Sequence, residues 1–564
     1  MESRKKRSGF LLLEDYWAIW IGMFLLVIGL ICFYFIPLND MSEKVEAAEQ
    51  IMEHEKEKAP FNTITWQETK AAVSQMSSAK TPQGTFFKNL LRSPQTWKSN
   101  PIKGFYQPAG HEKNVDKLQV LQDSLNQLKS QAVTTHELAA SQQFDDPAAN
   151  KLAAVTASQW RETHTEFQAL KKKSQNKGYF LAPNLLVLSL VFALIFGVGA
   201  HYMGFGFWTF VKGFLFVFLL AILAQLLGQQ IDMKAMGFGY AIWAIALGLL
   251  ISNTLGTPDW VKSAVRPEFY IKTGLVLLGT EILFTKILAI GMPGIFVAWI
   301  VTPIVLLGTY WFGQRVLKIA SKSLNITICA DMSVCGVSAA IATAAASKAT
   351  KEELTMAVGM SMAFTSVMMI ALPAFIKFVG MPEVLGGAWI GGTIDASGAV
   401  VAAGALLGET ALQVAATIKI IQNMLIGVIS FFVAYYWATQ VDKKEGVKVR
   451  AGEIWDRFPK FILGFVGASL LISLLYSISG SNLGDALIDL GLIRGYSKDL
   501  SSWMFCLAFV SIGLSVNFKE LWHQFKGGKP MYLYLVGQAF NLALTLLVAY
   551  IMFYILFPEI TQSL

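Results

Sequence analysis

The chain has 564 residues, of which 54% are hydrophobic and only 15% charged, with 46 Lys and Arg against 38 Asp and Glu and a formal net charge of +8. A soluble domain carries about 25% charged residues, so this composition excludes an ordinary soluble globular protein and favours lipid surroundings. The positive balance does not signal nucleic-acid binding, because the Lys and Arg sit in short runs beside apolar stretches and do not line one amphipathic face.

In chain order, the basic run Arg4, Lys5, Lys6 and Arg7 precedes an apolar stretch from Trp17 to Pro37. About 20 apolar residues cross a hydrocarbon layer, and no small-residue cleavage site follows, so residues 1–38 are expected to form a cytoplasmic basic N-terminus and a first transmembrane anchor. Residues 39–179 then lie outside as a helical extracytoplasmic domain. Helical stretches run from Glu43 to Lys58 and from Asn114 to Ala132, with proline breaks at Pro82, Pro94, Pro101 and Pro108. His54, His111, His136 and His164 show no metal-ligand spacing, so the domain reads as a structural or docking insertion.

From residue 180 apolar spans follow closely, at about 180–200, 206–227, 239–255, 268–288, 293–314, 325–347, 353–378, 384–408, 411–438, 461–479, 500–517 and 531–557. With the anchor this makes about 13 transmembrane helices in an all-α polytopic membrane protein, residues 180–564 forming the transporter domain. The loops carrying Lys262 and Arg266, Arg315 to Lys322, Lys443 to Lys460 and Lys519 to Lys529 share one side. Strict alternation sets them opposite the N-terminus, and one re-entrant segment or extra crossing between residues 39 and 262 reconciles the two, as Lys171 to Lys177 also suggests. Cys32, Cys329, Cys335 and Cys506 all fall inside apolar spans and read as packing residues. The stretch Gly274 to Ile287 resembles Ile512 to Leu521, each followed by a proline-bearing loop (Pro293, Pro530), which suggests an inverted-topology repeat of the secondary-transporter kind.

Two spans are unlike lipid-facing helices. Asn325 to Ala340 contains Asp331, Ser333, Cys335, Gly336 and Ser338; Gly386 to Ala403 contains Gly391, Gly392, Thr393, Asp395, Ser397 and Gly398. Small residues let helices pack tightly or break, and a broken helix in a protein-lined cavity frees backbone groups for ions. An aspartate in mid-membrane costs about 2.5–3.5 kcal/mol on insertion scales, so Asp331 and Asp395 are expected to be functional, with Lys419 as an intramembrane partner and Asn423 one turn on. If the carboxylates share a cavity, H⁺ or Na⁺ binding at Asp331 and Asp395 becomes the coupling step. Gln225, Asn253, Glu281, Gln538 and Asn541 read as path-lining or as helix–helix glue. No phosphate-cradling loop and no paired metal motif appears, so neither an enzyme nor a cofactor is expected.

Several segments together resemble a family of bacterial inner-membrane proteins named for sulfate export: Phe269 to Ile287, Ser333-Val334-Cys335-Gly336 with its Ala-rich continuation to Ala346, Gly391-Gly392-Thr393-Ile394, Val400 to Gly404, Lys419, Phe458-Pro459-Lys460-Phe461 and Ser511-Ile512-Gly513-Leu514. The resemblance covers roughly residues 180–557. It implies a fold like that of the cation:proton antiporter and anion transporter superfamily, with inverted repeats, broken crossing helices, a scaffold domain, a homodimer and elevator-type motion. Members generally show Gly-Ser-Ser-Ile-Cys-Gly where this chain has Asp331 to Gly336, His-Glu where it has Asp395-Ala396, and arginine where it has Gln422. These exchanges put acidic and neutral groups in place of positive or protonatable ones, which weakens the expectation of anion handling.

The expected function is secondary transport of a small ionic solute, coupled to H⁺ or Na⁺, in the bacterial inner membrane. The site comprises Asp331, Ser333, Cys335, Gly336, Gly392, Thr393, Asp395, Ser397, Gly398, Lys419 and Asn423. The competing readings are an ion channel and a membrane receptor whose outer domain binds the ligand.

Overall fold

The computed structural model describes residues 13–108, 114–174, 178–235, 239–281, 284–334, 336–441, 459–517 and 528–563. The basic run at residues 4–7, most of the loops at 443–460 and 519–529, the last residues of the 171–177 run and Cys335 fall outside them, as does the end of the 512–521 repeat segment. The described chain is almost entirely helical, the one exception being a two-residue antiparallel strand pair, Tyr106–Gln107 with Tyr179–Phe180.

Eight helices among the described residues are long and apolar enough to cross a membrane: Glu14–Phe35, Ala182–Tyr202, Phe207–Gly228, Ile290–Arg315, Glu352–Phe378, Glu409–Val441, Phe461–Ser515 and Gly528–Leu556. The 461–479 and 500–517 spans expected from sequence lie in one continuous helical run, kinked where Gly480 takes φ +73°. The other expected spans fall on shorter pieces: Tyr240–Thr254, Pro267–Leu278, and two pairs of half-helices. One pair is Lys322–Ser333 with Val337–Ser347, the other Glu383–Thr393 with Ser397–Leu407. Hydropathy sees one apolar window in each pair; the backbone inside it is interrupted.

The chain divides into two compact units. One comprises residues 1–24, 189–470 and 500–564 and holds the broken helices. Close backbone packing builds its centre. A Cβ on Gly387 would stand 2.9 Å from Ala411 Cα, and one on Gly391 3.1 Å from Ala415 Cα, so Glu383–Thr393 lies nearly backbone to backbone on Glu409–Asn423. Small residues four apart on both helices remove the side chains that would hold them apart. Elsewhere in this unit Lys272 stands 2.9 Å from Asp15 and 3.5 Å from Glu14, with Glu268 at 3.7 Å.

The other unit comprises residues 25–188 and 471–499, so it holds the whole insertion together with the end of the first helix and a π-helical stretch, Asp485–Ser497. The helices Val115–Ser141 and Pro147–Ser174 form a hairpin whose Leu125, Ala132, Trp160 and Phe167 bury Ile64 and Ala71 of a third helix. Two of the expected proline breaks are starts. Pro82 opens the helix Pro82–Leu90 behind the capping hydroxyl of Thr81, and Pro101 opens a 3₁₀ turn, because a first-turn proline loses no hydrogen bond. The turn at Ser77–Lys80 is set into the π-helical stretch: Ser77 donates to the Leu490 carbonyl (2.8 Å) and Ser78 to that of Leu487 (3.3 Å), while Gly491 and Gly495 leave the room.

Candidate functional site

Both broken helices break in the same place. Val334 leaves helical geometry and Gly336 takes φ +60°, ψ −126°, a conformation that glycine adopts readily and other residues scarcely at all. Ile394 and Ala396 are extended on either side of Asp395. A Cβ on Gly336 would come within 3.0 Å of Ser361 Oγ and 3.3 Å of Asp395 Cβ, so the first break rests against the second. Each break leaves a half-helix C-terminus with unused carbonyls and a half-helix N-terminus with unused N–H groups. Neither Gly336 nor Ala396 caps its half-helix with a side chain.

The freed carbonyls are met by buried polar side chains. Lys419 Nζ donates to the Val334 carbonyl (2.5 Å) and to Gln422 Oε1 (2.7 Å). Gln422 Nε2 in turn reaches the Ser333 carbonyl (3.0 Å), the Gly392 carbonyl (3.2 Å) and Thr302 Oγ1 (3.1 Å). Gln538 donates to the Thr393 carbonyl (2.9 Å) and Asn541 to that of Met332 (3.4 Å). Asn423 donates to Ser397 Oγ (2.9 Å). A cluster of this kind holds unwound backbone in an apolar interior without stranding these carbonyls, each of which would cost about 1–3 kcal/mol if left unpaired.

The two carboxylates differ in what surrounds them. Asp395, 2% exposed, accepts from the Tyr534 hydroxyl and, at 3.4 Å, from Ser361. Asp331 is fully buried, and neither of its oxygens has a hydrogen-bond partner among the described residues. Among the described residues Ser361, Asp395, Lys419 and Tyr534 are near enough to act on it, though none of them hydrogen-bonds to it. With Asp331, Asp395 and Lys419 all ionised, two carboxylates stand against one ammonium, which leaves one negative charge in excess. Ser333 Oγ and Asn423 Oδ1 are also buried and have no hydrogen-bond partner among the described residues. The centre therefore has surplus acceptor capacity and surplus negative charge, which suits a proton or a small cation.

Of the residues expected from sequence, Asp331, Ser333, Gly336, Thr393, Asp395, Ser397, Lys419 and Asn423 are brought to these breaks. Thr393 contributes its carbonyl, since its hydroxyl donates back to the Trp389 carbonyl. Gly392 and Gly398 act by packing, beside Thr545 and Ile271, although the Gly392 carbonyl also receives Gln422. Cys335 lies outside the described residues. Sequence reasoning missed Tyr534 and Ser361. A signal existed for the first: Tyr534, Gln538 and Asn541, spaced four and three apart, form one polar row on the Gly528–Tyr550 helix. Ser361 in a Met-rich helix offers no comparable signal.

Residues 212–533 match the family model described as Conserved hypothetical protein 698. A UPF0324 membrane protein of Nitratidesulfovibrio vulgaris is 49% identical over 568 residues, covering 100% of this chain and 98% of its own. The chain belongs to the UPF0324 membrane protein family. Another UPF0324 membrane protein, from Rhodopirellula baltica, is 55% identical over 376 residues, covering 66% of this chain and 69% of its own. No solved structure matches. Family membership and the eight apolar helices make this UPF0324 chain a multi-pass membrane protein.

Proposed function

We propose that this UPF0324 protein is a secondary active transporter of a small ionic solute, and not an enzyme, with H⁺ or Na⁺ coupled through Asp331 and Asp395. The observation that carries the reading is the meeting of two helix breaks at Gly336 and Asp395, where two buried carboxylates lie within electrostatic range of one buried lysine. A carboxylate with no solvent and no hydrogen-bond donor is unfavourable as a bare anion, so Asp331 is most stable when it holds a proton or a cation. Uncapped half-helix N-termini beside it favour negative charge, which gives the same crossing a place for an anionic solute such as sulfate. Binding of one ion then alters the affinity for the other, and that mutual dependence is coupling. An inner-membrane homodimer and elevator-type alternating access belong to the same proposal and rest on the family resemblance; an inverted repeat rests also on the likeness of residues 274–287 to 512–521, and an extracytoplasmic insertion on the basic run at residues 4–7 ahead of the first span.

The test is flux in proteoliposomes under imposed pH and Na⁺ gradients, with a panel of inorganic and organic anions and with D331N and D395N alongside the parent. Saturable, gradient-dependent uptake lost in either variant is the expected result. Normal coupled flux in both variants would refute the assignment.

A further inference from the structure

Among the described helices, Ala182–Tyr202 alone is entered directly from a paired strand. Tyr179–Phe180 pairs with Tyr106–Gln107, and the Leu181 N–H donates to the Phe105 carbonyl (2.9 Å), so two chain segments are clamped together just before a helix of membrane-spanning length. The clamp turns large apolar side chains outward: Phe180 is 60% exposed and Tyr106 48%, with Phe86 (61%) and Ile102 (64%) also exposed in this unit. Leu186 and Val187, on the first turns of the helix, are likewise exposed. Aromatic and aliphatic groups shown this way where an apolar helix begins have the character of a membrane–water interface.

A groove of about 410 Å³ opens here, lined among others by Phe86, Asn89, Arg92, Tyr179, Phe180 and Val187. Its one cation is half-buried. The Arg92 guanidinium lies 4.8 Å from the centre of the Tyr179 ring and donates to Gln95 Oε1 (3.0 Å), and no carboxylate pairs with it among the described residues. A guanidinium has five N–H donors in a fork that matches a phosphate edge, so most of its capacity is unspent. A soluble anion would be met by Arg92 but would gain nothing from Phe86, Phe180 and Val187; a molecule with an anionic head and an apolar tail uses both. We propose that this groove binds an anionic phospholipid, with the head-group phosphate on Arg92 and the upper acyl chain along Phe86, Phe180 and Val187. The site fixes the depth at which this helix enters the bilayer and ties the insertion to the membrane surface.

Native mass spectrometry of the delipidated full-length chain in detergent, titrated with phosphatidylglycerol, tests this against R92Q and the double variant F86S/F180S. The expected result is one retained phosphatidylglycerol whose occupancy falls about fivefold in R92Q, the change appropriate to one basic residue at an anionic surface. Equal retention by R92Q and the parent overturns the proposal. Loss of the retained lipid on adding excess inorganic phosphate also overturns it, because the site is then a phosphate site. Should R92Q fail to fold, the exposed-residue double variant decides: reduced retention supports the site and full retention removes it.

Discussion

At Gly336 a single residue sets the geometry of the whole centre. Its backbone lies where L-residues are strained by about 1–3 kcal/mol, and any Cβ would press on Ser361 and Asp395. Gly336→Ala is therefore expected to lower the thermal midpoint in detergent and to depress flux at least tenfold, and a variant that melts and transports like the parent would contradict this account. Lys419 is a second such residue, since it both closes the Val334 carbonyl and offsets two carboxylates. Removing one partner of a buried charged group costs about 3–5 kcal/mol, so Lys419→Met should destabilise the chain strongly. Adding Asp395→Asn removes one of the carboxylates that Lys419 had offset, and the thermal midpoint of the double variant should recover part of the loss. No recovery would mean that Lys419 acts through its hydrogen bonds alone.

Among the elements, the turn Ser77–Lys80 and the stretch Asp485–Ser497 hold the insertion in place through close approach, not through charge. Gly495→Val puts a side chain where Ala79 Cβ stands 2.7 Å from the position of a Cβ. The expected outcome is faster limited proteolysis between residues 75 and 108, with the fragment pattern of the rest of the chain unchanged. A second test concerns Glu55, which closes the turn between two helices of the insertion by accepting from Thr63 (2.6 Å) and Lys58 (2.8 Å). Burial pushes its carboxyl up, but the hydrogen bonds from Lys58 and Thr63 outweigh burial and hold it below the usual glutamate value. The folded chain then binds this proton less readily than the unfolded one, so the stabilisation is complete above about pH 4.3 and is lost as the pH falls through the lower folded value. Thr63→Ala removes both a donor to Glu55 and a helix cap. Its deficit in thermal midpoint should be constant near neutrality and narrow in acid; a deficit that persists unchanged at low pH would assign the whole effect to the cap.

For the whole molecule, coupling predicts that uptake against a concentration gradient stops when an ionophore collapses the driving H⁺ or Na⁺ gradient, and that initial rates saturate with solute. A pore passes solute down its gradient under both conditions and does not accumulate it. Much of what this experiment presumes was legible beforehand. Composition fixed the lipid environment, because a chain with so few charges and so many twenty-residue apolar runs has no stable alternative in water. Asp331, Asp395 and Lys419 stood out for the same reason, as charges in segments that otherwise exclude them. The small residues of the windows 325–347 and 384–408 allowed either tight packing or a break, and the family resemblance implied the break; only the tertiary structure placed it at Gly336 and Asp395, set Gly336 on Asp395, and brought in Tyr534 and Gln538, some 140 residues further on, to complete the centre. Hydropathy averages over a window and cannot register a backbone break within it, and neither spacing nor composition carries the distance between residues that meet only because two helices pack backbone to backbone through glycine and alanine.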